Sequence, residues 1–211
     1  MTIPPKNTLT MEELFNAATH GFGIIIATII CIFLLASTIR QGNFLKIIVF
    51  NIYGVALLLM YIISTLFHIL AHTRAKKAFR FLDHATIFVL IAGTYTPIVA
   101  TTVGGFWGWF LIATVWTAAL CGIFSKIYYI DKLRVSLTFY LILSWAGFLF
   151  INSFIKSVPI NGIIFLILGG IIYTFGIFFY VQKKIPFNHA IWHVFVLIGS
   201  FCHFSAILSL L

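Results

Sequence analysis

Charged side chains, and acidic ones above all, are scarce in this sequence. Of its 211 residues only 8% are charged, and four acidic residues stand against 13 lysines and arginines. Soluble domains carry about 25% charged residues, because their surfaces must be hydrated. A chain that is 62% hydrophobic lacks the polar groups to cover a water-exposed surface. The composition therefore excludes an ordinary soluble domain and predicts an integral membrane protein.

Cysteine is equally scarce and indicates neither a disulfide framework nor a thiolate metal site. The cysteines lie far apart inside apolar stretches, and no two form a Cys-x-x-Cys pair: Cys31, Cys121 and Cys202. Small buried side chains are their expected role. A cleavable signal peptide is not indicated either, because the first apolar run is too long for one and lacks a small-residue cleavage site.

The excess of basic residues gives a formal net charge of +9. In a soluble protein such an imbalance would suggest nucleic-acid binding. Here the lysines and arginines stand in short clusters between apolar runs, which is typical of membrane topology and of contact with anionic lipid headgroups. We therefore expect membrane lipids as partners and no nucleic acid, while the sequence indicates no oligomeric state.

Seven apolar runs are long enough to cross a bilayer, which takes about 20 residues of helix. They span residues 14–38, 45–71, 85–103, 107–128, 135–154, 160–181 and 190–211. Gly104 and Gly105 separate the third and fourth runs and predict a tight hairpin. Because the connections are too short for another domain, we expect an all-α polytopic protein with a single seven-helix transmembrane domain over residues 1–211.

Residues 1–12 are expected to form a flexible or interfacial amino terminus. The stretch is polar at its start and carries two prolines, Pro4 and Pro5. Thr10 and Glu13 have the spacing of a capping box, which predicts that the first helix opens at Thr10.

The placement of lysine and arginine predicts the orientation, because cytoplasmic segments of membrane proteins are enriched in both. With the amino terminus inside, ten of them lie on the cytoplasmic side: Lys6, Arg74, Lys76, Lys77, Arg80, Lys126, Lys132, Arg134, Lys183 and Lys184. Three lie on the outer side: Arg40, Lys46 and Lys156. This bias predicts a cytoplasmic amino terminus and, with seven spans, an external carboxyl terminus.

Four chemistry-bearing residues from distant segments share one depth in this topology. His68 lies near the end of the second run, Asp83 precedes the third, and His189 and His193 begin the seventh, so all lie at the cytoplasmic boundary. The four-residue spacing of His189 and His193 puts both imidazoles on one helix face, and His68 would supply a third. Three histidines with an open fourth position are typical of catalytic zinc.

A serine and an aspartate accompany these histidines. Ser64 lies four residues before His68 and so on the same face of its helix. Asp83 is one of the four acids, and an acid beside a metal-bound water can orient it or accept its proton. Other interpretations stay open, because a histidine can hydrogen-bond a neighbouring helix, Asp83 can cap the third helix, and nickel, copper or iron can occupy an imidazole site.

Three other histidines are weaker candidates for metal ligands. His203 lies ten residues beyond His193, about 15 Å deeper by helical rise, which excludes it from the cluster. His72 falls in the headgroup region and is a weak alternative ligand. His84 follows Asp83 directly, so its side chain must point elsewhere on the helix.

A polar stripe on the first helix consists of Glu13, Asn16 and His20, at roughly helical spacing. Such residues can support metal ligands from behind by hydrogen bonding to them. They can equally serve as contacts between helices, and the sequence does not separate the two roles.

Taken together, several segments resemble the bacterial hemolysin III family. The resemblance lies in Thr19-His20-Gly21 after Asn16 and in residues 64–68, 82–84, 92–97 and 189–193. That family belongs with the progestin and adiponectin receptors and is more distantly similar to the alkaline ceramidases. The resemblance covers nearly the whole chain and implies a multi-pass protein of the bacterial plasma (inner) membrane.

The resemblance also implies a zinc site at the cytoplasmic side of a seven-helix bundle. On the matching positions, His68, His189 and His193 are the implied zinc ligands, with Asp83 and Ser64 as catalytic residues. Zinc is the implied cofactor and hydrolysis the implied chemistry, as in the ceramidase-like relatives. The family name records a haemolytic phenotype and does not describe a mechanism.

Three functions remain open from the sequence. A zinc-dependent hydrolase would act on a lipid amide or ester that enters through an intramembrane cavity. A sensor or regulator would use zinc only to hold helices together. A pore-forming haemolysin is least favoured, because intramembrane polar residues are too sparse to line a conducting lumen. An ion-coupled transporter is not indicated, because no acidic residue lies near the bilayer midplane.

Overall fold

The structure, a computed structural model, describes residues 9–211, and the described chain is mostly helical. Within this range eight α-helices follow in order: α1 Met11–Arg40, α2 Phe44–Ile69, α3 Lys76–Thr102, α4 Gly105–Tyr129, α5 Leu133–Trp145, α6 Ile151–Ser157, α7 Ile160–Val181 and α8 Asn188–Leu208. The predicted all-α class is confirmed. Residues 1–8 of the expected flexible amino terminus lie outside the described residues.

Helix α1 begins where the capping-box spacing predicts. Thr10 is the N-cap, and its hydroxyl oxygen accepts a hydrogen bond from the Glu13 backbone nitrogen at 3.2 Å. Glu12 and Glu13 occupy the first turn, where negative charge is stabilised by the positive end of the helix dipole. The Glu13 carboxylate extends from this turn to α2, where it contacts His68.

Six of the described helices are long and apolar enough to cross a membrane, namely α1, α2, α3, α4, α7 and α8. On α1, Ile25, Ile29 and Ile32 are each more than half exposed, while Gly23 and Ala27 are buried. Large apolar groups outside and small ones inside suit a bilayer, because small residues let helices approach closely. The chain is a multi-pass membrane protein.

The fifth predicted span, residues 135–154, is not one continuous helix. Helix α5 ends at Trp145, a 3-10 helix occupies Ala146–Phe150, and α6 follows. The hydroxyl of Tyr95 on α3 lies at this break, where it accepts a hydrogen bond from Gly147 N at 2.6 Å and donates to Ser144 O at 2.9 Å. It thereby satisfies backbone groups that the break leaves free, as a lipid environment requires.

The broken segment is long enough to cross the bilayer. Placed end to end, α5, the 3-10 helix and α6 would measure about 40 Å by helical rise. A hydrocarbon core is about 30 Å thick, so a crossing is compatible with this length. The count of seven spans and the orientation of the termini stay predictions.

Neighbouring helices pack in chain order, and the last closes on the first. Helix α1 packs on α2, α2 on α3, α3 on α4 and α7 on α8, while α8 also contacts α1. Gly104 and Gly105, with φ angles of 58° and 55°, form the tight turn predicted between α3 and α4. The starts of α1, α3 and α8 and the end of α2 meet at one end of the bundle, called the histidine end below.

We predict that Gly93→Ala destabilises the bundle. A methyl group at Gly93 would lie 2.8 Å from the Ala56 Cβ and 3.7 Å from the Tyr53 Cα, so α2 and α3 would have to separate. Overpacking of this kind costs about 1–3 kcal/mol and would lower the melting temperature of the purified protein in detergent. Gly21→Ala is the matched control, since its new methyl group would have its nearest neighbour at 4.0 Å. Equal melting temperatures for the two variants would contradict the prediction.

Candidate metal centre

Three histidines from two helices meet at the histidine end. His68 lies in the last turn of α2, while His189 and His193 lie on successive turns of α8. One ring nitrogen from each falls within 4.8 Å of the others, a spacing that a single metal ion could bridge. His68 and His193 are 2% and 1% exposed. The structure thus brings together the three histidines that the sequence pattern indicated.

The hydrogen bonds of His68 leave one of its nitrogens free for a metal. Its Nδ1 lies 2.6 Å from Oε2 of Glu13, a carboxylate that also has Lys76 Nζ at 3.6 Å. An ionised carboxylate can only accept a hydrogen bond, so Nδ1 carries the proton. The other nitrogen, Nε2, is buried and has no hydrogen-bond partner among the described residues. This carboxylate–histidine pairing is the usual support for a metal-binding imidazole.

His193 is oriented in the same way by α1. Its Nδ1 lies 3.1 Å from the backbone oxygen of Asn16 and 3.0 Å from the Thr19 hydroxyl oxygen. Since the carbonyl only accepts, Nδ1 again carries the proton, and Nε2 keeps the lone pair that a metal requires. Two of the three imidazoles are therefore held in the tautomer that suits zinc.

The position of His189 depends on how α7 passes into α8. Phe187 adopts a left-handed conformation with φ 55°, which is unusual for a residue with a side chain. The side-chain amide of Asn188 donates to the backbone oxygens of Phe179 and Tyr180, at 3.1 and 3.0 Å. These bonds satisfy carbonyls at the end of α7 and hold the first turn of α8, with His189, beside it.

Asp83 and Ser64 lie beside the histidines. Both residues line the cavity that His189 and His193 also line. Ser64 is buried one turn before His68 on α2. Asp83 does not cap α3, because that helix begins at Lys76. The N-cap interpretation of Asp83 is therefore wrong, and its side chain is left available to the site.

His20 belongs to the cluster more closely than the sequence indicates. Its ring is stacked on that of His193, with centroids 3.5 Å apart and an interplanar angle of 12°. It is 3% exposed, and both of its nitrogens lack hydrogen-bond partners among the described residues. Together with the contacts of Glu13 and Asn16, this stacking shows that the polar stripe of α1 supports the histidines directly.

The remaining histidines lie apart from the three-histidine group. His203 packs against Tyr173, with ring centroids 5.3 Å apart. His72 is exposed beyond the end of α2. The Nδ1 of His84 is 2.9 Å from the backbone oxygen of Arg80 and 3.6 Å from Asp83 Oδ2. His84 thus lies at the cavity wall beside Asp83, outside the three-histidine group.

The cluster lies between an apolar cavity and a polar cleft. A cavity of about 420 Å³ extends from Ser64 and Asp83 between α3, α5, α7 and α8. Its deeper walls are mostly apolar and include Ile91, Leu166 and Ile177. On the other side, a cleft of about 530 Å³ is lined by acidic, basic and amide side chains: Glu12, Glu13, Asn16, Lys183, Lys184 and Asn188. His189 lines both spaces.

Comparison with known proteins identifies the family. The chain matches the family described as "Haemolysin-III related" over residues 9–204. It is 40% identical over 198 residues to Hemolysin-3 of Bacillus cereus, which covers 93% of this chain and 90% of that protein. It is 41% identical over 198 residues to the Hemolysin-3 homolog of Bacillus subtilis (strain 168), covering 93% of each.

A more distant relative is the Monocyte to macrophage differentiation factor of Homo sapiens. It is 31% identical over 207 residues, which cover 93% of this chain and 83% of that protein. The family match and the bacterial relatives extend across all the helices that build the histidine end. The resemblance inferred from the motifs is confirmed, and the chain belongs to the Haemolysin-III related family.

Proposed function

We propose that this protein is a zinc-dependent membrane hydrolase that acts on a lipid amide or ester at the cytoplasmic side of the membrane. The observation that carries the proposal is the position of the buried three-histidine group, which lies between a polar cleft and an apolar cavity. A hydrolase for lipids needs water from one side and an acyl chain from the other, and this arrangement offers both.

His68, His189 and His193 would hold the metal through imidazole nitrogens. A three-histidine set suits zinc and leaves one position open. The unpartnered Nε2 of His68 is evidence of fit, since a buried polar atom without a partner costs about 1–3 kcal/mol. When bound, zinc supplies a Lewis acid that polarises a carbonyl and activates water.

The residues around the histidines would perform the proton transfer and the positioning. Asp83 would accept a proton from water. Ser64 lines the same cavity and would help to orient the carboxyl. Glu13 and Asn16 hold the Nδ1 protons of His68 and His193 and so keep both rings in place. The apolar wall of the cavity would receive the acyl chain and exclude water from it.

A structural zinc in a sensor or regulator is the second candidate. It is favoured by the distribution of the ligands, since His68 lies on α2 and the other two on α8. A metal here would tie those helices together and stabilise the bundle without any reaction. The pore-forming alternative receives no comparable support, because the walls of the described cavity are mainly apolar.

We predict that the double variant His189→Ala, His193→Ala loses its bound zinc. Only one imidazole of the set would remain, which is too few for tight binding. The measurement is the metal content of purified protein by mass spectrometry, beside wild type. His72→Ala is the control, because this exposed histidine lies outside the group. Equal zinc in the double variant and wild type would show that the site does not bind it.

We predict that Glu13→Gln weakens zinc binding by about 10–100-fold, the usual effect of removing the carboxylate behind a ligand histidine. Zinc affinity would be measured by competition with a chelator of known strength. Glu12→Gln is the matched control, since Glu12 makes only a long 3.5 Å contact with Phe187 N. An affinity loss of the same size in both variants would indicate a general charge effect.

We predict that Asp83→Asn lowers lipid hydrolysis by about 10²–10⁴-fold, the range for loss of a general base. Zinc content and melting temperature should stay near the wild-type values, because Asp83 is not a member of the three-histidine group. Release of fatty acid from a panel of amide and ester lipids is the measurement. Undiminished turnover in this variant would exclude Asp83 as the general base, while a wild-type protein that binds zinc but hydrolyses none of these lipids would favour the structural role.

A further inference from the structure

Three basic residues surround the part of the cavity that adjoins the metal centre. Arg80 and Lys183 line the same cavity as Asp83 and His189. Lys126 lies behind its wall and is 1% exposed. The sequence places all three on the cytoplasmic side, and the structure buries Lys126 within the bundle.

Lys126 has no acidic partner among residues 9–211. Its Nζ donates to the Ser136 hydroxyl and lies 4.9 Å from the centre of the Tyr140 ring. Both Ser136 and Tyr140 line the cavity. The hydroxyl and the ring stabilise the ammonium group, but neither neutralises it.

The other two cations are neutralised weakly or not at all. Arg80 Nη1 lies 2.7 Å from Asp131 Oδ1, but the Asp131 side chain is 77% exposed, so solvent screens this pair. Lys183 Nζ lies 4.6 Å above the Tyr180 ring and forms no salt bridge with a described residue. Asp83 and Asp131 also line this part of the cavity, so three basic side chains stand against two carboxylates and one positive charge remains in excess.

This excess positive charge calls for an explanation beyond topology. Enrichment of lysine and arginine on the cytoplasmic side needs only exposed side chains, such as Arg134 and Lys184. Of the three cations, Lys126 is held inside the bundle, where a cation is costly and usually marks a functional site, while Arg80 is half-buried and Lys183 is exposed at the rim of the cavity. Here the cations adjoin a largely apolar cavity, and that combination suits a molecule with an anionic head and a hydrocarbon tail.

We propose that the cavity binds a lipid that carries a phosphate group, with the phosphate held by Arg80 and Lys183 and stabilised by the field of Lys126. The acyl chains would lie along the apolar wall between α3, α5 and α7. This inference rests on the proposed hydrolase and names its substrate class. Arginine and lysine are the residues that most often bind phosphate.

The spacing along α3 fits such a substrate. Arg80 lies three residues before Asp83, which is about 4.5 Å of helical rise. In a phospholipid only a few carbon atoms separate the phosphate from the acyl carbonyl. A phosphate at Arg80 therefore brings the carbonyl close to Asp83 and the histidines, where the proposed reaction would occur.

The test is lipid binding by the purified full-length protein in detergent, measured by titration and native mass spectrometry. The probe is a dialkyl ether phosphatidic acid, which has no ester to hydrolyse, and the dialkylglycerol with the same chains is the neutral comparison. Wild type should bind the phosphate lipid at least about ten-fold more tightly. Arg80→Gln and Lys183→Gln should each remove most of this preference, whereas Arg134→Gln and Lys184→Gln should retain it.

Three outcomes would overturn the proposal. One is equal binding of the two lipids by wild type. Another is an equal loss in the Arg134→Gln or Lys184→Gln control, which would indicate general surface attraction. The third is a rise in melting temperature with inorganic phosphate alone that equals the rise with the phosphatidic acid, which would identify a free anion as the ligand. If Arg80→Gln fails to fold, Lys183→Gln still tests the proposal, because Lys183 lies in a loop, where a substitution is tolerated.

The binding test is independent of turnover, since the ether lipid cannot be hydrolysed. Phosphate-dependent binding without hydrolysis of any lipid would retain the phosphate-lipid site as a ligand site and remove the proposed function. Hydrolysis of neutral lipid amides without phosphate-dependent binding would support the proposed function and remove the phosphate-lipid site.

Discussion

The 2.6 Å hydrogen bond between His68 Nδ1 and Glu13 Oε2 is the contact on which the histidine end depends. A carboxylate and an imidazole inside a helix bundle are both costly unless they are paired. Their pairing joins α1 to α2 and fixes the His68 tautomer. It also directs the remaining nitrogen, Nε2, away from Glu13 and leaves it without a described partner, which is the condition a metal ion would satisfy.

Polar contacts between α1 and α8 also close the bundle. Asn16 and Thr19 of α1 hold His193 of α8, and His20 stacks against its ring. The first and last membrane helices are thus connected by the residues that position the candidate ligands. Stability and site geometry are consequently coupled here, so loss of a ligand histidine has to be separated from loss of the fold by measuring metal content directly.

The irregular fifth segment has a role in shaping the interior. Tyr140, Trp145 and Phe148 of α5 and the following 3-10 helix line the cavity that leads to Asp83. Tyr95 satisfies the freed backbone groups of this segment from α3. A broken, tethered element beside an apolar cavity is compatible with the entry of an acyl chain, which the three-histidine group alone would not explain.

The membrane class, six of the seven predicted spans and the gathering of His68, His189 and His193 could be read from the sequence alone. These follow from hydrophobic length, basic-residue placement and helical spacing, which are local properties of the chain. Four features emerge only from the packing of the helices: Glu13 pairs with His68, His20 stacks on His193, Lys126 is buried, and the helix over residues 135–154 is broken. Each of these depends on which side chains neighbouring helices present to one another, and that information is absent from the pattern of any single segment.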